Sequence, residues 1–356
     1  MNIIVVGAGL IGTSIALAAK QRGDAVMLED TNSEHLRVAR DLLGIDSEAS
    51  HPEKFDLVIV ATPSQYVFRE LENRFNDNPQ ATFIDVSGLK SELIVNVEKF
   101  PALAKRFCAT HPMAGRELSG PTSARADLFQ GATWILTPTS KTDDDVIETV
   151  KVLATDLGAK VQTVPALTHD KAISAVSHLP QLVSTILART LKDVNDEELG
   201  LAGQGLRDLT RLADSSATLW AELLLQNKEN VVGDLRKVQA EILEILSRLE
   251  SGDRSEIEKF IDGGKKEKAR IPGKHGGKTR DYVYLPIVIE DKAGQLAAIF
   301  DECATVRVNV EDLFIEHSPG QETGLITLAL SEADANILLP HLVKQNWRVH
   351  GIRASR

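Results

Sequence analysis

Short apolar runs alternate with amphipathic segments along the first 165 residues, a pattern typical of strands that alternate with helices. The Leu-Val-Ile-Val run within residues 56–61 is continuous, as expected of a parallel strand covered on both faces. Helices predicted at residues 13–20 and 143–157 can supply that cover. The pattern therefore predicts an α/β domain over residues 1–165, with strands at residues 2–6, 25–28, 56–61, 81–86, 105–110, 132–137 and 160–164.

From residue 166 the apolar positions recur at helical spacing. Residues 168–192 predict a helix. Pro180 either kinks this helix or lies at the start of its second half. Residues 215–250 predict further helices, whose apolar residues include Leu219, Leu223, Val231, Leu235, Val238, Ile242, Ile245 and Leu249. An all-helical domain over residues 166–262 needs a surface on which to bury these side chains, so we expect it to be the dimerisation domain of a homodimer.

The last part of the chain has a different texture. Residues 263–280 are rich in glycine and lysine, which favours a solvated linker over the alternative of an anion site. Residues 281–356 predict a small α+β domain of βαββαβ order. Its strands are expected at residues 282–289, 309–317, 324–330 and 347–352, with helices ending near 305 and 345.

Composition narrows the class of protein. A chain of 356 residues is long enough for two or three domains, and its net charge of −11 argues against a nucleic-acid partner. No apolar segment reaches the ~20 residues of a membrane span, and the apolar N-terminus lacks the basic residues of a signal peptide. Cys108 and Cys303 lie far apart, and no Cys, His and carboxylate cluster has metal-ligand spacing. We therefore expect a cytoplasmic protein without disulfides, bound metal or membrane contact.

A glycine-rich turn follows the first predicted strand. Gly7, Gly9 and Gly12 form a Gly-x-Gly-x-x-Gly motif that ends as a helix begins, with Leu10 and Ile11 inside it. The first glycine permits a tight turn, the second lets the backbone approach a diphosphate, and the third lets helix and strand pack closely. A strand before the motif and a helix after it are the context that dinucleotide binding requires. The α/β domain is therefore predicted to be a Rossmann domain that binds a dinucleotide.

An acidic residue ends the second predicted strand. Asp30 lies 18 residues after Gly12, near the ~20-residue spacing at which a carboxylate accepts hydrogen bonds from the adenosine ribose. A carboxylate there also repels a 2′-phosphate, so the cofactor is predicted to be NAD. Glu29 is a competing candidate. Alternatively, Asp30 caps the next helix, a role that a neighbouring residue such as Asn32 can fill.

Three strands end in polar or turn residues, namely Thr62-Pro63-Ser64, Ser87-Gly88-Leu89-Lys90 and residues 111–115. In an open α/β sheet the carboxyl ends of the strands form the ligand crevice. We expect Thr62 and Pro63 to contact the cofactor there, and residues 115–130 to form a loop or flap over it.

Histidine is the candidate for proton transfer. His111 follows a buried strand at the predicted crevice, and an imidazole can accept a proton near neutral pH. The alternative is a histidine that only satisfies a loop hydrogen bond. His178, which lies just before Pro180, is a second candidate for the site. A core histidine that is hydrogen-bonded to the backbone is an equal alternative. His169 and Asp170 are predicted to be polar residues of a helix N-terminus.

A basic segment lies between the helices. Arg207 and Arg211 flank Asp208, which suggests that one arginine pairs with the aspartate while the other binds a carboxylate. The alternative is that both form surface ion pairs.

These segments together resemble the prephenate/arogenate dehydrogenases of tyrosine biosynthesis. The resemblance covers about residues 1–250 and is carried by the glycine motif, residues 85–90, 111–115, 177–180 and 208–211, Trp220, and Asn-Lys-Glu-Asn at 227–230. Residues 281–356 resemble an ACT domain, a fold often used to sense amino acids. A pairing of these two parts also occurs in the family.

The resemblance implies an activity. A hydride leaves C4 of the cyclohexadienol ring for NAD+, His111 takes the proton of the C4 hydroxyl, and loss of carbon dioxide makes the ring aromatic. Prephenate would give 4-hydroxyphenylpyruvate. We favour prephenate over arogenate as substrate, and L-tyrosine as an effector of the ACT-like domain.

The resemblance also assigns residues. Arg211 holds the ring carboxylate, His178 and Trp220 line the substrate site, and Gln204 is a candidate for the side-chain pocket. Glu117 and Asp208 match an ionic network at the mouth of the site. Within the ACT-like domain the candidates for effector binding are Asp291, Gly294 and Asn309.

One position departs from the family pattern. The family has glycine then serine before the residue that precedes the lysine, whereas this chain has Ser87 then Gly88. Ser87 is therefore the candidate for the catalytic serine, with a backbone N–H or water as the alternative. Two rival functions stay open: a β-hydroxyacid dehydrogenase, which would use a catalytic lysine such as Lys171 or Lys228, and an NAD-binding sensor without turnover.

Overall fold

The structure is a computed structural model that describes residues 1–45, 54–114, 120–271, 282–290, 292–317 and 322–354. These residues form two compact units, Met1–Gly252 and Asp253–Arg356. Within the described residues, no helix is long and apolar enough to cross a membrane.

The first unit begins with a Rossmann-like α/β sheet whose strands alternate with helices. In chain order its elements are β1 (Asn2–Val6), α1 (Leu10–Arg22), β2 (Ala25–Glu29), α2 (Ser33–Leu43), β3 (Leu57–Val60), α3 (Ser64–Asp77), β4 (Thr82–Asp85), α4 (Ser91–Val97), α5 (Pro101–Arg106), β5 (Phe107–Pro112), β6 (Thr133–Pro138), α6 (Asp144–Asp156) and β7 (Lys160–Thr163). The strand order is β2-β1-β3-β4-β5-β6-β7. All neighbours pair in parallel except β5 and β6, which are antiparallel.

Both faces of the sheet are buried because successive side chains of each strand enter opposite core layers. Ile3 and Ile59 pack with α1 and α6 in one layer, whereas Ile4 and Val58 belong to the other. The continuous apolar runs of the sequence follow from this arrangement. The predicted strand at residues 105–110 is displaced, because Pro101–Arg106 forms α5 with proline in its first turn. Strand β5 therefore extends through His111 instead of ending before it.

A helical region completes the first unit. Its helices are α7 (Ala166–Ile173), α8 (Leu179–Thr190), α9 (Asp196–Leu199), α10 (Gln204–Thr210), α11 (Ala217–Gln226) and α12 (Lys228–Ser251). Helices α7 and α8 are joined by a π turn at Ser174–His178, in which the N–H of Leu179 donates to the carbonyl of Ser174. Pro180 lies in the first turn of α8 and has no N–H to donate, so the wider turn accommodates it without ending the helix.

The second unit contains α13 (Arg254–Lys268), β8 (Val283–Glu290), α14 (Gln295–Thr305), β9 (Asp312–His317), β10 (Thr323–Leu330), α15 (Glu332–Lys344) and β11 (Arg348–Val349). From β8 onward the order is the predicted βαββαβ, and the antiparallel sheet has the order β11-β8-β10-β9. The predicted linker at residues 263–280 was wrong in its first part, because α13 continues to Lys268. Asp253 caps that helix, and the lysines of its last turn interact favourably with the negative end of the helix dipole.

Candidate active site

The three glycines of the motif occupy three different environments. Gly7 has a φ of +112°, and a Cβ there would overlap the carbonyl of Ala61 at the end of β3. A Cβ on Gly12 would overlap the carbonyl of Gly7, so this glycine permits close packing of α1 on β1. A Cβ on Gly9 would meet no atom within 4 Å, which leaves open space beside the backbone. The geometry thus fits a turn that a diphosphate approaches at its second glycine.

Helix α1 presents its positive N-terminal end to this turn. It begins at Leu10 without an acidic residue in its first turn. Leu10 and Ile11 direct their side chains into apolar surroundings, since Leu10 is buried and Ile11 packs on the core. Their backbone N–H groups belong to the helix N-terminus, where anions are stabilised.

Asp30 lies directly beside the glycine turn. Its carboxylate accepts hydrogen bonds from the N–H of Ala8 at 2.6 Å and from the N–H of Asn32 at 2.7 Å. Asn32 is the residue that caps α2, so the alternative role for Asp30 is filled by its neighbour. The competing candidate, Glu29, is paired with Arg74 instead. Of the two candidates, Asp30 is thus the acidic side chain that lies beside the glycine turn.

The end of β3 adds an unsatisfied hydroxyl group. Among the described residues, the buried Oγ1 atoms of Thr62 and Thr13 have no hydrogen-bond partner. A buried hydroxyl without a partner costs free energy unless a ligand satisfies it. Pro63 follows and immediately precedes α3. The open space at Gly9, next to the end of β3, fits a bound dinucleotide.

His111 is the first member of a chain of three side chains. Its Nδ1 lies 3.0 Å from Nε2 of His169, and Nδ1 of His169 lies 2.7 Å from a carboxylate oxygen of Asp170. A carboxylate only accepts, so neutral His169 donates from Nδ1 and accepts at Nε2. His111 must then donate from Nδ1, which leaves the lone pair of its Nε2 available as a base. His169 and Asp170 are polar residues within α7, and both are buried. The sequence interpretation did not include their hydrogen bonds to His111 and to each other.

The electrostatic surroundings keep His111 neutral and Asp170 ionised. Burial lowers the pKa of His111 well below its ordinary value of 6.5, and the nearby Lys90 and His169 act in the same direction. Burial opposes ionisation of Asp170, but hydrogen bonds from His169 and Ser91 hold the pKa of that carboxyl below its ordinary value. At neutral pH His111 is therefore a neutral imidazole and Asp170 a carboxylate.

A buried ion pair fixes the strand that ends at His111. The side chains of Asp85 and Lys90 are both 0% exposed and form a salt bridge. The Lys90 ammonium also donates to the Thr110 carbonyl at 2.6 Å and to the Ser87 hydroxyl at 3.1 Å, so all three donors have partners. Burial lowers the pKa of Lys90, and Asp85 opposes that effect. Thr110 is held at both ends, since its N–H donates to Asp85 at 3.1 Å.

Ser87 belongs to this ion pair. Its hydroxyl donates to the Asp85 carboxylate and lies 3.2 Å from the Leu89 carbonyl. The hydrogen bond of His111 is made to His169 instead. The structure thus places Ser87 as a support for Lys90.

His178 and Trp220 come together as the sequence motifs suggested. His178 is 2% exposed at the end of the π turn, and its ring makes a T-shaped contact with the Trp220 ring, with centroids 5.8 Å apart. Nδ1 of His178 lies 3.3 Å from Nδ2 of Asn227. Burial lowers the pKa of His178, so this ring is neutral at neutral pH.

The basic segment forms the surface next to these residues. Arg211 opens a short 3-10 turn after α10. Asp208 accepts a hydrogen bond from Gln204 at 2.7 Å, and Arg207 donates to the Ala202 carbonyl at 3.4 Å. The predicted ion pair between Asp208 and an arginine is thus replaced by a hydrogen bond from the Gln204 amide.

Some candidates lie elsewhere. Glu117 and Asp291 are outside the described residues. In the second unit, Gly294 precedes α14 with a φ of +90°, and Asn309 donates to Glu311 at 3.1 Å.

Helix α11 joins the helical region to the strand ends. Glu222 accepts hydrogen bonds from the Ser64 hydroxyl at 2.7 Å and the Gln65 N–H at 3.2 Å, so it caps α3 in place of Pro63. A Cβ on Gly88 would lie 3.4 Å from a methyl group of Leu223. The sequence offered no signal for this contact, since Glu222 and Ser64 are 158 residues apart.

In the part of the chain that the structure describes, no group of three or more His, Cys, Asp or Glu side chains is arranged to hold a metal ion.

Comparison with known proteins gives a consistent assignment. Residues 15–163 match the family described as prephenate dehydrogenase, nucleotide-binding domain, and residues 165–262 match prephenate dehydrogenase, dimerization domain. The probable prephenate dehydrogenase NovF of Streptomyces niveus is 30% identical over 355 residues, which cover 97% of this chain and 98% of NovF. Prephenate dehydrogenase of Bacillus subtilis strain 168 is 28% identical over 344 residues, 94% of this chain and 93% of that protein.

A solved structure agrees. The crystal structure of prephenate dehydrogenase from Aquifex aeolicus, in complex with hydroxyphenyl propionate and NAD+, has a TM-score of 0.69 and 29% identity, and the match covers 76% of this chain and 98% of that chain. Taken with the two domain matches and the full-length relatives, this similarity shows that the chain belongs to the prephenate dehydrogenase family.

Proposed function

We propose that the protein catalyses the NAD-dependent oxidative decarboxylation of prephenate to 4-hydroxyphenylpyruvate in tyrosine biosynthesis. The observation that carries the proposal is the chain from His111 through His169 to Asp170 at the strand ends, in a member of this family. These three side chains provide a neutral base at the carboxyl ends of the strands, where the glycine turn also lies. Family membership and base geometry thus point to the same reaction.

Proton transfer is the part of the reaction that the chain's own residues perform. When bound, NAD+ supplies the acceptor for the hydride that leaves C4 of the ring. Nε2 of His111 takes the proton of the C4 hydroxyl as that oxygen becomes a carbonyl. The bond to the ring carboxylate then breaks, its electron pair enters the ring, and carbon dioxide leaves. His111 returns its proton to the phenolic oxygen, so no proton is consumed.

The positioning of this base is inherent in the fold. A proton that arrives on Nε2 makes His111 an imidazolium, whose charge is stabilised through His169 by the Asp170 carboxylate. The low pKa of His111 keeps it unprotonated until substrate arrives. Orientation and protonation state therefore come from the same two neighbours.

Substrate binding is assigned to the helical region. Arg211 has a planar guanidinium suited to a carboxylate, and we assign it the carboxylate of the ring. His178 and Trp220 line the adjacent wall. Asp208 accepts a hydrogen bond from Gln204, and we assign both residues to the mouth of the site.

The active form is proposed to be a homodimer. Residues 165–262 match a dimerisation domain, and exposed apolar side chains line α11 and α12. These side chains are Leu219, Leu225, Ile242, Leu243, Leu246 and Leu249. Water-exposed leucines at this density are stabilised by a second copy of the same helices.

Residues 281–356, which carry the elements from β8 to β11, are proposed to form an ACT-like regulatory domain that binds L-tyrosine. Its βαββαβ order with one antiparallel sheet supports this identity. The turn before α14, with Gly294 at φ +90°, and Asn309 before β9 are the candidate effector contacts, together with Asp291.

A direct assay tests the proposed function. Purified protein is mixed with NAD+ and either prephenate or arogenate, and reduced nicotinamide is followed by its absorbance. We expect NADH formation with prephenate at a higher kcat/KM than with arogenate. A preference for arogenate would assign the other substrate, and NAD+ binding without turnover on either compound would favour a sensor.

A further inference from the structure

Asn227 lies at the junction of α11 and α12, and its side chain is buried. Its Nδ2 donates to the backbone carbonyl of Asp170 at 2.8 Å and lies 3.3 Å from Nδ1 of His178. Its Oδ1 accepts a hydrogen bond from Nδ2 of Asn230 at 2.8 Å. One amide group thus connects the helix that carries Asp170, the ring of His178 and the first turn of α12.

The chemistry of these partners allows one orientation of the amide. A backbone carbonyl can only accept, so the end of Asn227 that faces Asp170 is the NH2 group. That group has two hydrogens, and the second is directed to Nδ1 of His178. Because an amide NH2 does not accept, Nδ1 of His178 must present its lone pair. The proton of the neutral ring is then on Nε2.

We infer that Asn227 is a positioning residue that holds His178 as the neutral tautomer protonated at Nε2, so that Nε2 donates a hydrogen bond to an acceptor oxygen of the substrate. The identity of that substrate rests on the proposed function, whereas the tautomer does not. The two histidines of the site are thereby set in opposite senses. His111 presents a lone pair to the substrate, and His178 presents a proton.

The other groups around His178 leave this arrangement in place. The Asp170 carboxylate of α7 favours a charged ring, and His169 of the same helix opposes it. Trp220 of α11 makes a T-shaped ring contact with His178, and the Asp234 carboxylate of α12 accepts a hydrogen bond from Ser174, the first residue of the π turn. Burial is the largest influence on the pKa of His178 and lowers it, so the ring enters the neutral state that the amide then orients.

The first test observes the tautomer directly. The full-length protein is labelled with 15N-histidine, and the ring of His178 is identified by comparison with the spectrum of His178→Gln. At neutral pH we expect the nitrogen shifts and ring couplings of a neutral imidazole with its proton on Nε2. A spectrum with the proton on Nδ1, or with a cationic ring, would overturn the inference. This measurement needs neither substrate nor turnover.

The second test reverses the amide. In Asn227→Asp the carboxylate accepts a hydrogen bond, so neutral His178 moves its proton to Nδ1 and loses its donor at Nε2. The cationic ring keeps a proton on Nε2, so kcat/KM should recover as the pH falls below the raised pKa of His178. Above that pKa we expect a loss of about tenfold or more, the scale of one hydrogen bond to a charged or buried group. The wild type should lack this ionisation.

Two further variants separate orientation from folding. Asn227→Leu removes the amide without a charge, so its loss of kcat/KM should be independent of pH. Asn73→Asp makes the same chemical change at an exposed position of α3 and should leave the profile unaltered. Equal pH profiles for Asn227→Asp and Asn227→Leu would assign Asn227 a structural role only. Absence of NADH with either substrate would refute the proposed function but leave the NMR result standing.

Discussion

Nδ1 of His111 lies 3.0 Å from Nε2 of His169, although 58 residues separate them in the sequence. The contact joins the end of β5 to α7, and Asp170 beside His169 completes it. His169 therefore sets which nitrogen of the catalytic candidate carries the proton. The base at His111 therefore depends on the packing of α7 against the end of β5.

Loss of His169 should reduce turnover without weakening cofactor binding. In His169→Leu, His111 loses the acceptor for its Nδ1–H and the path to the carboxylate, so its tautomer and orientation are no longer fixed. We expect kcat to fall by about a hundredfold, within the range of general acid–base effects. His169→Gln retains a polar partner and should lose less. NAD+ affinity, measured by calorimetry, should stay unchanged in both, and a matching fall in that affinity would contradict the assignment.

The pH profile should show an acid limb below pH 6.5. The folded pKa of His111 is lowered by burial, so the base stays unprotonated at and somewhat below the ordinary value of 6.5. The profile of kcat/KM reports the ionisation of the free enzyme and should remain flat as the pH falls through 6.5. A midpoint above 6.5 would be inconsistent with a desolvated base.

The same shift affects stability. The unfolded imidazole takes up a proton near pH 6.5, whereas the folded one does so only at lower pH. Protonation thus favours the unfolded state, and the free energy of unfolding should decrease as the pH drops below 6.5. Denaturant titrations at several pH values measure this effect, and His111→Gln should lessen the slope between pH 6.5 and the folded pKa.

Removal of Lys90 should destabilise the whole α/β region. In Lys90→Met the Asp85 carboxylate stays buried without its cation, and the Thr110 carbonyl loses a donor. A buried charge left without its partner costs roughly 3–5 kcal/mol. We expect a large fall in Tm, measured by calorimetry or circular dichroism. The double variant Lys90→Met with Asp85→Asn removes the charge and should recover part of the loss.

The sequence was sufficient for features with a local cause. The glycine turn was predictable because Gly7 and Gly12 each leave no room for a Cβ, and strand β3 because both its faces are buried. His111 was accessible to sequence reasoning as a histidine at a strand end. Its partners were not, because a buried His169 and an exposed helix-terminal histidine look the same in a sequence. Asn227 likewise acts through atoms that only tertiary packing brings together.

Glu222 should act as a cap that crosses from α11 to α3. In Glu222→Ala the Ser64 hydroxyl and the Gln65 N–H lose their acceptor, and Pro63 cannot replace it with a side-chain hydrogen bond. We expect a loss of about 1 kcal/mol in the free energy of unfolding, typical of a helix cap. Glu222→Gln keeps an acceptor oxygen and is the matched control. Equal stability of the alanine and glutamine variants would show that the contact contributes nothing.

Removal of residues 281–356 should abolish inhibition by tyrosine while NADH formation from prephenate continues. The basis is that the candidate effector contacts lie within residues 281–356, whereas all residues assigned to catalysis lie in Met1–Gly252. Inhibition is measured as the tyrosine dependence of kcat/KM in the full and shortened chains. Substitution of Asn309 by alanine in the full chain should weaken inhibition without a change in basal rate. Inhibition that survives the truncation and competes with prephenate would instead place tyrosine in the active site, beside Arg211 and His178.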